Sequence, residues 1–476
     1  GDGAAETLER AGARGRLALV DSFATPAKAW AAQEAGTLGQ IFTNLDHLHN
    51  MIVTTVWGTP TPETAWRIPR LPCCSITKAD ASALRDRLRR GPLSVRLYTR
   101  VRTEWMPIPH LTGHLAGAVD AFTLFSGHVD AWHHGAMDNG SANATMLEVA
   151  RLLAGQRGAL RRGLRLAFWS GHSHGRYAGS AWYADHAWRE LERHGVLHLN
   201  VDSTGARGAT DYTVFHATED AADFAETVVA DVTGQRGRAR HFSRAGDQSF
   251  WGIGLPSAFM SMSQLPPQDT DFGRTTERLF GTSGFPWWWH TREDTIDKLD
   301  GDVLAQDTRV FVAAALRLAN APVLPLGPAR AARAVADTAA DLHAAAAGRM
   351  DLSPLVDAAR RLAGTLDAAA PGLARLAEGG GDAAGANRLL MRLSRVLVPL
   401  LFTGGDRFTH DLAVGIPPLA GLQPARALPG RDAGADLTKF ALAALTRERN
   451  RAHHALDEAA ELADELRGRV SQGEIR

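Results

Sequence analysis

The chain runs to 476 residues, longer than one ordinary hydrophobic core supports, so two or three packed units are expected. Hydrophobic residues make up 45% and charged ones 22%, and the 47 glycines and 22 prolines are scattered among turns, which excludes a disordered or low-complexity chain. Lys plus Arg and Asp plus Glu each total 52, so no net field draws the protein to nucleic acid or to an anionic membrane, and a small-molecule or peptide substrate fits better.

In chain order, 17–20 reads as a strand, 27–35 as a helix opened by Thr25-Pro26, and 40–43 as a second strand. Pro69 and Pro72 then break the chain; 73–76 is strand-like, 79–90 is an amphipathic helix, and 93–98 alternates as an exposed strand should. The only cysteines, Cys73 and Cys74, are adjacent, which strains a mutual disulfide and predicts a buried pair of small apolar side chains. Residues 1–15 lack the apolar stretch of a signal peptide, and no apolar run approaches the roughly 20 residues that cross a bilayer. The sequence therefore reads as soluble and cytoplasmic. It opens on Gly1, not Met, so a preceding segment carrying an address or more of the fold is expected to be missing from it.

From 121 onward, 122–126, 164–169, 196–201 and 257–260 are near-continuous apolar strands with helices between them, the clearest helix at 146–153. This rhythm predicts an α/β fold with a mostly parallel, mixed central sheet covered by helices on both faces. Beyond Pro328 the composition turns to Ala, Arg, Leu and Asp at helical spacing, interrupted at Gly379-Gly-Gly381, and 437–466 reads as one long helix.

Ligands of an open parallel sheet gather outside the carboxyl ends of its strands. There the sequence places His128 after 122–127, Asp138 on the loop entering the 146–153 helix, His172 and His174 after Phe168-Trp169, Asp202 after 196–201, and His290 after the run of three tryptophans 287–289. Imidazole with carboxylate suits zinc, as one ion or two, with manganese or cobalt as alternatives. A carboxylate bridging two ions about 3.5–4 Å apart would clamp a hydroxide and a substrate oxygen together.

Ser126-Gly-His-Val-Asp130, followed by Gly135-Ala-Met-Asp-Asn-Gly-Ser141, resembles the zinc peptidase family of bacterial aminopeptidases, glutamate carboxypeptidase and transferrin receptor. The resemblance implies that His128 is a ligand of one metal, that Asp138 bridges both, and that the Asp130 carboxylate holds the far ring nitrogen of the His ligand. Leu199-Asn-Val-Asp202 resembles the strand that ends in an Asp ligand, Asp247-Gln-Ser-Phe250 a pocket segment, and His290-Thr-Arg-Glu-Asp-Thr295 the last ligand motif. The likeness covers roughly 111–316. Residues 1–108 look like the family's protease-associated domain and 109–320 like its catalytic domain. Asn387-Arg-Leu-Leu-Met391 and Phe408-Thr-His-Asp411 resemble its helical dimerisation domain, here 321–476, which implies a homodimer.

One turn departs from the pattern. The family carries two adjacent glutamates after Phe-Trp-Ser-Gly, a general base and then a ligand; here the turn reads Gly171-His-Ser-His-Gly-Arg176. Aligned from the left, His172 stands at the base and Ser173 at the ligand; aligned from the right, Ser173 stands at the base and His174 at the ligand. His174 is favoured as ligand, with His172 as base or alternative ligand. An imidazole in place of a carboxylate leaves the cluster one formal charge more positive, and a histidine would then carry the proton. Because His128, Asp138, Asp202 and His290 persist, the expected activity is metal-dependent hydrolysis of amide or peptide bonds in small peptides or acylated amino acids. The alternative is an inactive, receptor-like binding protein. Trp132, Trp182 and the 287–289 run, with Trp288 chosen to touch substrate, are candidate pocket residues, as is Asp247. His133 and His134 read as loop residues. Arg176 and Arg244 are candidates to grip a substrate carboxylate bidentately, with surface solvation the alternative.

Overall fold

The computed structural model describes residues 1–43, 45–379 and 383–472. Strands β1 (Leu17–Val20), β2 (Gly39–Thr43) and β3 (Cys73–Ile76) form a parallel sheet in that order, accompanied by helices α1 (Ala5–Arg10), α2 (Pro26–Glu34) and α3 (Lys78–Arg89). Pro26 occupies the first turn of α2, where its missing N–H would have found no helical partner. Thr77 opens α3 by accepting a hydrogen bond from the Asp80 N–H. The alternation at 93–98 does not become a strand, because it meets no ladder partner among the described residues. It leads instead into an extended, solvent-facing run in which Tyr98 is 81% and Val101 85% exposed. Cys73 and Cys74 are free and half-buried, not fully buried as expected, and burial pushes the Cys73 thiol up to about 11.

The central sheet has the order β10-β7-β5-β6-β4, from β4 (Leu111–Leu115), β5 (Val119–His128), β6 (Arg162–Trp169), β7 (Gly195–Asn200) and β10 (Ser257–Ala258). All pair in parallel except β4, which runs antiparallel to β6 on the edge. The expected strand 257–260 stops after two residues because Phe259 turns the backbone to φ +68°. Between these elements lie α4 (Ala142–Ala154), α5 (Ala178–His186), α6 (Trp188–His194), the small parallel pair β8 (Val214–His216) and β9 (Arg238–Arg240), α7 (Ala222–Thr233), α8 (Asp271–Phe280) and α9 (Gly301–Asn320).

Period-two alternation divides the strands between two buried layers. Phe125, Leu164, Leu166 and Phe168 pack with Met146 and Val149 of α4, Val228 of α7 and Phe311 of α9. Leu124, Ala167 and Trp169 point the other way, onto Tyr183 of α5 and Leu191 of α6. Both faces are thus covered, as the apolar strands required.

Helices α10 (Pro328–Ala345), α11 (Ser353–Gly379), α12 (Ala384–Phe402) and α13 (Asp436–Gln472) complete the chain. Gly380 and Gly381, part of the expected interruption, lie outside the described residues. The apolar stripes of these helices continue the layer that covers the sheet, so the helical region shares its core. Buried Arg395 of α12 donates to the carbonyls of Leu191, Glu192, Gly195 and Gly254, and its neighbour Ser394 donates to buried Asp220 at 2.5 Å. Gly254 sits at φ +81° with Arg395 so close that a Cβ there would lie 2.4 Å from the Arg395 Cα. None of the described helices is long and apolar enough to cross a membrane.

One buried acid ties α9 to the loop after β7. Asp307 accepts from the Gly205 N–H (2.8 Å) and the Ser263 hydroxyl (2.9 Å), and burial raises its pKa from 3.8 to about 6. A folded-state pKa above the unfolded one means that the native protein holds this proton more tightly. The stabilising contribution is therefore complete below 3.8 and lost as pH rises through about 6. Against Asp307→Asn, which cannot titrate, the wild type is expected to lose about 2–3 kcal/mol of relative stability across that window. Denaturation midpoints of both proteins at several pH values check this; a pH-independent difference contradicts it.

Candidate metal centre

The carboxyl ends of β5, β6 and β7 and the turns that follow them carry the candidate ligands, except His290, which lies between α8 and α9. His128 is the last residue of β5, and its Nδ1–H donates to the Asp130 carbonyl at 2.8 Å. His290, held at φ +61°, donates its Nδ1–H to the Asn50 carbonyl at 2.6 Å. Each bond fixes the tautomer and leaves Nε2 with a lone pair. Those two lone pairs face opposite oxygens of one carboxylate: His128 Nε2 lies 3.0 Å from Asp138 Oδ1, and His290 Nε2 lies 3.1 Å from Asp138 Oδ2. Asp202, following β7, brings Oδ2 to 3.6 Å from His128 Nε2 and accepts from the Ser203 hydroxyl at 2.8 Å.

The departed turn divides its two histidines. His172 is buried, stacks on His128 with ring centroids 3.7 Å apart, and donates Nδ1–H to Asp247 at 2.5 Å. His128, His172 and Asp202 bring ligand atoms within 4.8 Å of one another. His174 is exposed, outside that group, with its ring edge-on to Trp132 at 4.8 Å.

Support for the ligands comes from residues far apart in sequence. The Asp130 carboxylate does not reach the His128 ring, contrary to expectation; the backbone carbonyl does so instead. A short side chain two residues beyond His128 faces the neighbouring turn, where its oxygens accept the N–H groups of His172 (3.1 Å) and Ser173 (3.0 Å). Asp247, expected at substrate, is buried and accepts from His172 and from the Ser180 hydroxyl (2.7 Å). Arg244 is also buried, bonded to the Asp411 and Leu412 carbonyls and laid over the Trp57 ring, so it is committed to the fold. Trp288 belongs to an apolar cluster with Phe23, Met137 and Phe285 and is 5% exposed. Trp287 stacks on His47, exposed Trp182 on His186, while Trp132 also meets His290 edge-on at 6.0 Å. His133 and His134 are exposed, and Arg176 bonds the Tyr177 hydroxyl at 3.2 Å.

Sequence reasoning passed over Asp294 and Asn50. Asp294 accepts the N–H groups of Met137 (2.9 Å) and Asp138 (3.0 Å) and so holds the loop that carries Asp138. The signal was its place four residues after His290 inside the last motif. Asn50 acts through its backbone carbonyl, for which a side-chain pattern carries no signal.

The buried imidazoles and carboxylates of the centre shift one another's ionisation. Burial by itself would lower the His128 pKa, yet Asp202 and Asp138 outweigh it and hold the imidazole well above its ordinary value. Burial likewise opposes ionisation of Asp138, but His128 and His290 hold its carboxyl well below the usual range. Asp294, buried beside the Asp138 loop, rises to about 6. His128 Nε2 is buried without a hydrogen bond. The residues fit a metal ion: donors sharing a tetrahedral zinc lie about 3.3 Å apart, and the separations of 3.0 and 3.6 Å around His128 Nε2 bracket that value.

An α/β sheet with imidazoles and carboxylates converging at its carboxyl edge defines the class, a protein with a metal-ligand centre at the strand ends. Residues 111–315 match Peptidase family M28. A probable glutamate carboxypeptidase VP8 from Zea mays is 28% identical over 254 residues, covering 49% of this chain and 34% of the maize protein. The aminopeptidase NAALADL1 of Mus musculus is 30% identical over 122 residues, 24% of this chain and 16% of its own. The chain thus spans about a third or less of these relatives. Among solved structures, a zinc aminopeptidase from Bacillus subtilis aligns over 66% of this chain and 72% of its own, at 20% identity and TM-score 0.46. A peptidase M28 precursor from Shewanella amazonensis aligns over 67% and 73%, at 20% identity and TM-score 0.45.

Proposed function

We propose that the protein is a zinc-dependent hydrolase of amide or peptide bonds in small peptides or acylated amino acids. One observation carries the reading: two imidazoles, each oriented by a backbone carbonyl on Nδ1, turn Nε2 toward the two oxygens of the single buried carboxylate of Asp138, a donor set and spacing that suit a metal ion. The Peptidase family M28 match over the same residues supports the hydrolytic chemistry.

When bound, zinc would acidify a water and polarise the substrate carbonyl. In this chain His128, Asp138, Asp202 and His290 would hold the metal, while Asp294 and Asp130 fix the two loops that present it. No glutamate stands in the turn to move the proton. His174, exposed at the rim against Trp132, is the imidazole we assign to carry it to the leaving nitrogen. Trp132, touching both His174 and His290, is the aromatic surface we assign to substrate. The reading extends to 1–108 as a protease-associated unit and 321–476 as a dimerisation unit.

The test is a zinc-supplemented screen of amino-acyl, N-acyl and dipeptide substrates. Turnover is expected, abolished by chelator and restored by zinc, with His174→Ala lowering kcat by about 10²–10⁴-fold while metal is retained. A fully metal-loaded protein that cleaves none of these substrates would sink the reading in favour of a binding protein on the same fold.

A further inference from the structure

We infer that His172 is a positioning residue of the metal centre: its ring is the plate against which His128 lies flat, and a buried chain of side chains running back to Trp57 holds that plate in place. The inference deepens the hydrolase reading and rests on it for the presence of a metal.

Geometry separates bracing from binding. The His128 and His172 rings are stacked, with centroids 3.7 Å apart and planes 14° from parallel. An imidazole lone pair lies in the plane of its ring, so those of two stacked rings do not converge on one ion at zinc–nitrogen distance. The closeness of a His172 nitrogen to His128 and Asp202 therefore follows from the stack. His128 is fixed in two ways at once: the Asp130 carbonyl takes its Nδ1–H at 2.8 Å, and His172 covers one face of its ring. Nε2 is left turned toward Asp138 at 3.0 Å and Asp202 at 3.6 Å. Bonds and contacts that orient a ligating histidine are part of how a protein sets metal affinity.

The plate is itself held. His172 donates Nδ1–H to Asp247 (2.5 Å), Asp247 accepts from Ser180 (2.7 Å), Ser180 Oγ lies 2.9 Å from Ser249 Oγ, and Ser249 accepts the Trp57 Nε1–H (2.8 Å). All five side chains are buried. Tyr177 meets the His172 ring edge-on at 4.9 Å, and the Trp57 ring lies 4.1 Å from that of Tyr177, so Trp57 supports the plate by two routes. A buried polar chain whose members bond one another holds a single geometry. Trp57 precedes the region 111–315, so a residue outside the sheet domain sets the attitude of a ring at its centre.

The experiment measures zinc and cobalt(II) affinity of the full chain by chelator competition, with the visible spectrum of the cobalt protein and circular dichroism as a check on folding. His172→Ala is expected to weaken affinity about 10–100-fold at unchanged stoichiometry, the loss typical of a residue that orients a ligand. The double variant His172→Phe with Asp247→Asn keeps a flat ring, offers no ring nitrogen and leaves no unpaired buried charge; it should stay within about threefold of native and keep the native cobalt spectrum. Trp57→Phe, which keeps a ring but removes the Nε1–H, should weaken affinity about 2–10-fold. A phenylalanine variant as weak as His172→Ala makes His172 a ligand and overturns the inference, as does native affinity in folded His172→Ala. A readout free of metal comes from histidines labelled at Cε1: the ring current of His172 should move the His128 ring proton upfield, a shift kept with phenylalanine and lost with alanine. A protein that binds the ion without turnover sinks only the hydrolase reading. One that binds no ion sinks that reading too, and the inference is then decided by the ring shift, which overturns it if His172→Ala leaves the shift unchanged.

Discussion

Asp138→Ala is expected to empty the centre, reducing metal affinity by more than about 100-fold and turnover to background, while circular dichroism stays native. The carboxylate has two partners at once, His128 Nε2 at 3.0 Å and His290 Nε2 at 3.1 Å, so its loss removes a donor and the anion that both imidazoles face. Losing a partner that only supports a ligand typically costs about 10–100-fold, and a ligand that serves both sides must cost more. Asp138→Asn separates charge from shape: it keeps an oxygen in place but removes the negative charge, and should also fail to hold metal. The check is zinc content after dialysis, with turnover measured in parallel. An Asp138→Ala protein that keeps native zinc content would remove this residue from the ligand set and with it the main support for the proposed function.

The second large effect is structural. Arg395→Ala is expected to destabilise the protein by about 3–5 kcal/mol, because it combines vacating a buried long side chain with leaving carbonyls of 191, 192, 195 and 254 without their charged donor. Burial already lowers the Arg395 pKa to about 10, so the guanidinium is held by these bonds in spite of its desolvation. The carbonyls belong to the end of α6, the start of β7 and the turn before β10, while Arg395 belongs to α12, so the loss should loosen the helical region from the sheet. Hydrogen exchange in α12 and the β7 edge should rise together as the denaturation midpoint falls. A change below about 1 kcal/mol, ordinary for a surface substitution, would contradict the role given to this residue.

Most of the fold was legible because hydrophobic periodicity is a local property. The apolar runs 122–126, 164–169 and 196–201 became the middle of the central sheet, and the helical spacing beyond Pro328 became α10 to α13. Edges were harder: Leu111–Leu115 carries a glycine and a histidine and lies on the sheet's rim, so its pattern is too weak to stand out. At 93–98 the alternation was present, but a strand also needs a neighbour, which no single segment can reveal.

The same division holds at the site. The sequence grouped His128, Asp138, Asp202 and His290 through motifs that resemble a known family, spacing alone being too weak to do so, and in the structure the four side chains lie together. Only the tertiary structure set His172 and His174 apart, burying the first against Asp247 and leaving the second exposed beside Trp132. Two residues apart on a tight turn, they were chemically equivalent until Asp130 fixed the turn's backbone and Asp247, far along the chain, took the His172 ring. Tertiary structure also withdrew Arg244 and Trp288 from substrate, since burial is set by what packs around a side chain and not by its chemistry. Ligand identity is written in residue type and position along a strand; the direction in which each side chain faces is settled by contacts that the sequence holds far apart.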